Sequence, residues 1–238
     1  MDFLAGEILI IDKPLHWTSF DIVNKIRWHL SKALHIKKIK VGHAGTLDPL
    51  ATGVVIVATG KKTKLIDELQ AGVKEYVAEI QLGATTPSFD LETAVDATYP
   101  TEHITQELIS TVLPRFIGEI WQVPPTYSAV KVDGKRAYEY ARQGAEVKLN
   151  AKLLRIDELQ LLNFNLHDKT LQLRIVCSKG TYIRAFARDL GEALDSGAHL
   201  TALRRTQVGE YRAENAMTMQ QVIELIDNMN NSNFQISD

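Results

Sequence analysis

An α+β fold, built on a mixed and largely antiparallel sheet, is what this chain of 238 residues predicts. Three observations carry the expectation. Strand and helix signals follow one another irregularly rather than repeating as strand-helix-strand units, which argues against a doubly wound parallel sheet. Residues 74–82 and 171–177 alternate with the period of two that a half-buried strand requires. Residues 23–34 and 183–194 carry apolar side chains at helical spacing instead. A hydrophobic content of 45% suits one sizeable core, since a globular chain this long buries roughly 70 to 75% of its unfolded surface.

In chain order, a strand opens at 7–11. Thr18, with Asp21 three residues on, offers a capping box for a helix presenting Val23, Ile26, Leu30 and Leu34. A glycine-punctuated loop around Asp48 leads into the apolar run 54–58, which is far too short to cross a bilayer. In the strand 74–82, Tyr76 shares a face with Ala78, Ile80 and Leu82. Pro124-Pro125 opens a polar, basic segment reaching to about 151, with a short helix over 136–142. Leu171, Leu173, Ile175 and Cys177 share one strand face, so Cys177 is expected to be a buried structural thiol. As the single cysteine it cannot form an internal disulfide, which fits a reducing cytoplasm. Ile183, Phe186, Ala187, Leu190 and Leu194 mark a helix closed near Gly197, with Arg184 at the margin of its apolar stripe. A last helix is expected over 219–226, followed by a disordered Asn- and Ser-rich tail over 228–238. The organisation expected is one catalytic domain over 1–227, with 124–151 as an insertion.

The formal net charge of −2 is not that of a strongly basic nucleic-acid binder. Its distribution says more. Lys32, Lys37, Lys38 and Lys40 precede the Asp48 loop, and Lys61, Lys62 and Lys64 follow its strand. A second group is Lys131, Lys135, Arg136 and Arg142, and a third is Arg204 with Arg205. Each cluster alone reads as a solvated face, but three of them flanking the glycine-rich motifs point to phosphate contacts. Residues 1–7 hold two acids and no base, unlike a signal peptide. Gly60-Lys61 lacks the remaining positions of a P-loop, the histidines show no zinc-ligand spacing, and no GxSxG elbow occurs.

The most informative stretch is Gly42-His43-Ala44-Gly45-Thr46-Leu47-Asp48-Pro49-Leu50-Ala51-Thr52-Gly53. Pro49 biases Asp48 toward extended geometry, and Gly42, Gly45 and Gly53 let the backbone close tightly around an occupant. An Asp-Pro pair alone is an ordinary turn. The whole string resembles the signature loop of the tRNA pseudouridine-55 synthases, which isomerise one uridine in the T loop of tRNA. Lys13-Pro14 with Trp17-Thr18-Ser19, Lys74-Glu75-Tyr76, Ser178-Lys179-Gly180-Thr181-Tyr182-Ile183-Arg184 and Leu203-Arg204-Arg205 resemble that family's other motifs, in order, over 7 to about 212. The chain resembles the short form, ending without the C-terminal RNA-binding domain that many members append.

The resemblance implies the family's α+β catalytic fold, tRNA through its T arm as the partner, no membrane, no obligate protein partner, no cofactor and no metal. Asp48 is then the essential acid, acting as a nucleophile at the sugar or as a base on its 2′ position. Arg184 is expected to pair with it and keep it ionised. Tyr76 is expected to stack on the flipped uracil and take the C5 proton, and His43 to fill the gap the base leaves. Lys13, Tyr182 and Leu203 would line the pocket with Gly42, while Lys135, Arg136, Arg142, Arg204 and Arg205 would meet the RNA backbone, with 124–151 closing over the stem. One departure stands out: where many relatives read Thr-Asp-Thr ahead of an Asp, this chain has Thr86-Pro87-Ser88-Phe89-Asp90. Two other classes compete, a tRNA-folding or T-loop-binding protein and a hydrolase using Asp48 with Asp90 or Glu92.

Overall fold

The computed structural model describes residues 1–145 and 147–234, with the side chains of 230–234 outside that description. In chain order its elements are β1 (Ile8–Lys13), α1 (Ser19–Ala33), β2 (Val41–Ala44), β3 (Ala51–Thr59), α2 (Ile66–Ala71), β4 (Lys74–Leu82), β5 (Ala84–Thr85), β6 (Ala97–Thr98), α3 (Gln106–Val112), β7 (Gly118–Gln122), β8 (Lys131–Val132), β9 (Lys135–Arg136), α4 (Ala137–Ala141), β10 (Lys152–Asn165), β11 (Thr170–Cys177), α5 (Ile183–Ala193), β12 (Ala198–Val208), β13 (Tyr211–Arg212) and α6 (Met219–Phe234). The fold is α+β. Two compact units divide the chain, one made of Met1–Lys74 with the residues from Arg204 on, the other of Glu75–Leu203.

In the first unit β1 runs antiparallel to β3 from Ile8↔Ala58 to Lys13↔Gly53, and β2 pairs with β3 from Val41↔Thr59 to Ala44↔Ile56. Val54, Val55, Ile56 and Val57 are wholly buried, so β3 is covered on both faces, as an uninterrupted apolar run requires. The capping box at α1 forms as its sequence predicts: the Asp21 N–H donates to Thr18 Oγ1 at 3.0 Å and the Thr18 N–H to Asp21 Oδ2 at 2.8 Å. Ile22, Val23, Ile26 and Leu30 form the buried stripe of that helix.

Strand β12 begins in the second unit and ends in the first, where it lies beside β3 and pairs with β13. The approach of β12 to β3 explains Gly53. Its φ is +105°, and a Cβ there would lie 2.1 Å from the Arg205 carbonyl oxygen, so no larger residue fits.

In the second unit the hydrogen-bonded order is β12, β4, β11, β10, β7. Strand β10 is antiparallel to β11, with bulges near Asp157 and Leu162, and antiparallel to β7. The alternation read from the sequence holds: Tyr76, Ala78, Ile80 and Leu82 are buried on β4, and Leu171, Leu173, Ile175 and Cys177 on β11. The two-residue turn between β8 and β9 has Asp133 and Gly134 at positive φ, the geometry a tight hairpin demands.

Two boundaries differ from expectation. Helix α4 is shorter than the 136–142 expected. Helix α6 continues to Phe234, past residue 228 where the tail was expected to lose structure, and 235–238 lie outside the described residues. Buried Val222 and Ile226 anchor α6, and once a helix is nucleated each added residue gains a hydrogen bond at little further cost.

Candidate active site

In the first unit, strands β2 and β3 fix both ends of the loop that carries Asp48. Asp48 is half-buried, and its carbonyl accepts the Ala51 N–H at 3.0 Å. Beside it Leu47 is buried as a plug, clamped from both sides by Ser19 of α1: the Leu47 N–H donates to Ser19 Oγ at 2.9 Å, and the hydroxyl donates to the Leu47 carbonyl at 3.2 Å. The backbone under Asp48 is therefore fixed by the capped end of α1.

Two buried cations hold the remaining carbonyls. Arg205, 2% exposed, donates from Nε to the Val54 carbonyl at 2.7 Å, from Nη2 to Gly45 at 3.1 Å and from Nη1 to Thr46 at 3.3 Å. Lys13, wholly buried at the end of β1, donates from Nζ to the carbonyls of Trp17 at 2.6 Å, Pro14 at 2.9 Å and Pro49 at 3.4 Å. Burial lowers the Lys13 pKa from 10.5 to about 8; the Asp48 carboxylate opposes that fall, and Arg205 adds to it. Lys13 thus lies within the field of Asp48.

His43, on β2, has its pKa pushed below 6.5, first by burial and then by Arg205, with a hydrogen bond to the Gly45 backbone opposing both. Its Nδ1 is buried with no hydrogen-bond partner among the described residues. The lowered pKa favours the uncharged ring at neutral pH.

One residue of this unit differs from its expected role. Arg205 is no phosphate contact: its guanidinium faces the Gly45 and Thr46 carbonyls of the loop and the Val54 carbonyl of β3 inside the protein, making it a structural clamp of the Asp48 loop. An Arg-Arg pair gives no sign of which member turns inward; the usable signal was Gly53, needed only where another backbone passes close. Arg204 does remain accessible, forming a two-pronged pair with Asp12 at 3.0 and 2.8 Å. At Gly42 a Cβ would lie 2.7 Å from Ile66 Cδ1, so the glycine makes room for that side chain.

The second unit holds Tyr76, Arg184, Tyr182 and Leu203. Tyr76 is buried on β4, and Arg184, expected at the margin of the α5 stripe, is only 5% exposed. Its Nε lies 3.5 Å from Asp90 Oδ2, Nη1 donates to the Ser88 carbonyl at 3.2 Å and Nη2 to the Tyr127 carbonyl at 3.0 Å. The unusual Thr86-Pro87-Ser88 sequence leaves this rim well bonded: the Thr86 and Ser88 hydroxyls donate to the Asp90 carbonyl at 2.7 and 3.1 Å, and the Glu92 N–H to Asp90 Oδ1 at 2.9 Å. Tyr182, the N-cap of α5, exchanges two backbone hydrogen bonds with the Gln122 side chain. Leu203 is half-buried on β12.

Lys135 and Arg136, on the β8–β9 hairpin, and Arg142, just past α4, are exposed. Lys135 Nζ lies 5.9 Å from the Tyr140 ring and the Arg142 guanidinium 5.3 Å from that of Tyr138, so the aromatic rings space out the charges. Among the described residues no group of three or more His, Cys, Asp or Glu is placed to hold a metal ion, and no helix is long and apolar enough to cross a membrane.

Comparison with known proteins gives consistent matches along the chain. Residues 31–183 match the model of the TruB family pseudouridylate synthase N-terminal domain, and 184–235 that of the tRNA pseudouridylate synthase B C-terminal domain. The tRNA pseudouridine synthase B of Phocaeicola vulgatus is 63% identical over 227 residues, covering 95% of this chain and 96% of that protein. Its counterpart in Parabacteroides distasonis is 60% identical over 227 residues, with 95% and 96% covered. Among solved structures, a Cbf5-Nop10-Gar1 complex contains a chain with 29% identity and a TM-score of 0.69 over 93% of this chain, which spans 54% of that one.

Proposed function

The chain belongs to the TruB family of pseudouridylate synthases, and from that premise we propose that it isomerises the T-loop uridine of tRNA to pseudouridine, with Asp48 as the essential carboxylate. The observation that carries the reading is the Asp48 loop: one half-buried carboxylate on a backbone fixed by Ser19, Lys13 and Arg205. Such rigidity suits a group that must meet one sugar carbon, because proximity and orientation account for much of a catalytic barrier.

The reaction breaks the bond between N1 and C1′, turns the uracil, joins C5 to C1′ and releases the C5 proton, with no net redox change. Asp48 acts at C1′ as a nucleophile or at the 2′ position as a base, and either role needs its ionised form. Lys13 lies close enough to attract that carboxylate, since Asp48 opposes the fall of the Lys13 pKa. The assignment of Arg184 as a second cation for Asp48, and of Tyr76 as the group that stacks on uracil and takes the C5 proton, rests on the family motifs these residues occupy. Flipping the uridine costs a few kcal/mol, offset by stacking on Tyr76 and contacts to Tyr182 and Leu203. A neutral His43 suits the gap left in the T loop, since it stacks without adding charge.

Affinity in this reading comes from phosphate contacts of Lys135, Arg136, Arg142 and Arg204, and the protein works in the cytoplasm, where its substrate is. The test is incubation with unmodified tRNA tritiated at uridine C5. Tritium release with an intact chain and no free base supports the proposal; free uracil selects a hydrolase, and tight binding without release selects an RNA-folding role.

A further inference from the structure

Arg188 does nothing in the reaction as outlined, yet it is tied to the residues that hold Arg184. The two arginines stand one turn apart on the same face of α5. Arg184 reaches Asp90 and the Ser88 carbonyl. The Arg188 guanidinium covers the ring of the residue between them, Phe89, at 4.9 Å from the ring centre. The same pair also grips the root of the 124–151 insertion: Arg184 donates to the Tyr127 carbonyl at 3.0 Å and Arg188 to the Val123 carbonyl at 3.2 Å. Three consecutive loop residues and both ends of a five-residue segment are thus held from one helix face.

Phe89 shows why this grip matters. Its φ is +62°, the left-handed region that a bulky aromatic residue enters only when its surroundings force it. The backbone there is pinned on both sides, with the Phe89 N–H donating to the Thr86 carbonyl at 3.0 Å and the Phe89 carbonyl accepting the Leu200 N–H at 2.9 Å. This turn aims the next side chain, Asp90, at Arg184. Asparagine or glycine would hold a left-handed turn with less strain, so the ring must contribute something they lack. What it supplies is a π face for Arg188, whose Nε is fixed in turn by Asp189 Oδ1 at 2.8 Å.

We propose that Arg188 and Phe89 form a positioning pair: their stacking holds the left-handed turn that sets Asp90 against Arg184, and so fixes Arg184 for the isomerisation. The inference rests on the function proposed above. In this role neither residue needs to touch the substrate. Their effect is on the rate of the chemical step, not on tRNA binding, which depends on phosphate contacts elsewhere.

The informative variant is Arg188→Lys, which keeps a cation beside the largely buried Asp189 but loses the planar group that stacks on Phe89 and reaches Val123. Single-turnover tritium release at saturating enzyme is expected to slow about ten- to fiftyfold, with tRNA Kd changed less than threefold. Phe89→Leu is expected to slow it to a similar extent, the double variant no further than either single one, and Phe89→Tyr to restore the rate to within about twofold. Turnover by the unsubstituted chain is the control that separates failure of this inference from failure of the assigned function. A full rate in Arg188→Lys, a loss confined to Kd, or losses that multiply in the double variant would overturn the pairing.

Discussion

Raising the pH through 8 is predicted to lower activity while relieving a stability penalty, because both effects act through Lys13. Its ammonium is wholly buried, serves three carbonyls, and has a pKa lowered from 10.5 to about 8. Protonated, it has three donors for three acceptors; neutral, it has two and no longer attracts the Asp48 carboxylate. The tritium-release rate is therefore expected to fall above pH 8, approaching tenfold per pH unit. Stability moves the other way. The folded chain sheds this proton at about pH 8 and the unfolded chain only near 10.5, so between those values the unfolded state binds more protons and unfolding becomes harder as pH rises. The penalty for holding Lys13 charged is fully present below pH 8 and absent above 10.5. At 1.36 kcal/mol per pH unit, its size is about 3 kcal/mol. Denaturant melts of the wild type and Lys13→Met at pH 7 and pH 10.5 isolate this group, since other titrations cancel in the difference. The difference should shift by about 3 kcal/mol in favour of the wild type at the higher pH. A pH-independent difference, or a rate flat to pH 9.5, would refute the reasoning.

Gly53→Ala is predicted to lower the melting temperature by roughly 5 to 15 °C, since a Cβ meeting the Arg205 carbonyl at 2.1 Å adds steric strain of about 1 to 3 kcal/mol to the cost of a positive φ; a melting point within 2 °C of wild type would contradict the close approach. Binding of tRNA should weaken steeply with salt, and replacing Lys135 and Arg136 together should make the slope of log K against log salt shallower by about one to two. An unchanged slope would mean that the β8–β9 hairpin does not meet RNA.

The fold was legible where one physical signal dominated. Alternation over 74–82 and 171–177 gave strands with the correct faces, and Thr18 with Asp21 gave the start of α1, because burial of one face and an N-cap are written locally. The end of α6 was not, since Asn-rich composition argues for disorder while the anchors Val222 and Ile226 lie about three and two turns earlier. At the candidate site, the Asp48 loop stood out by its motif, but what holds it did not. Arg205, and Lys13 at Pro49, act on backbone carbonyls distant in sequence, and carbonyls leave no mark in composition. The Arg184–Asp90 pair was half legible: the motif marked Arg184, but the turn at Phe89 that aims Asp90 breaks the usual preference for glycine or asparagine at positive φ.

Asp48→Asn tests the central claim most directly. The substitution keeps the size of the side chain and its loop but removes the carboxylate, so single-turnover incubation with C5-tritiated tRNA reports on chemistry, and a filter-binding titration on docking. The account predicts no detectable tritium release, with Kd within about tenfold of wild type because phosphate contacts dominate binding. Appreciable release by the Asn variant would contradict it and remove Asp48 from the reaction.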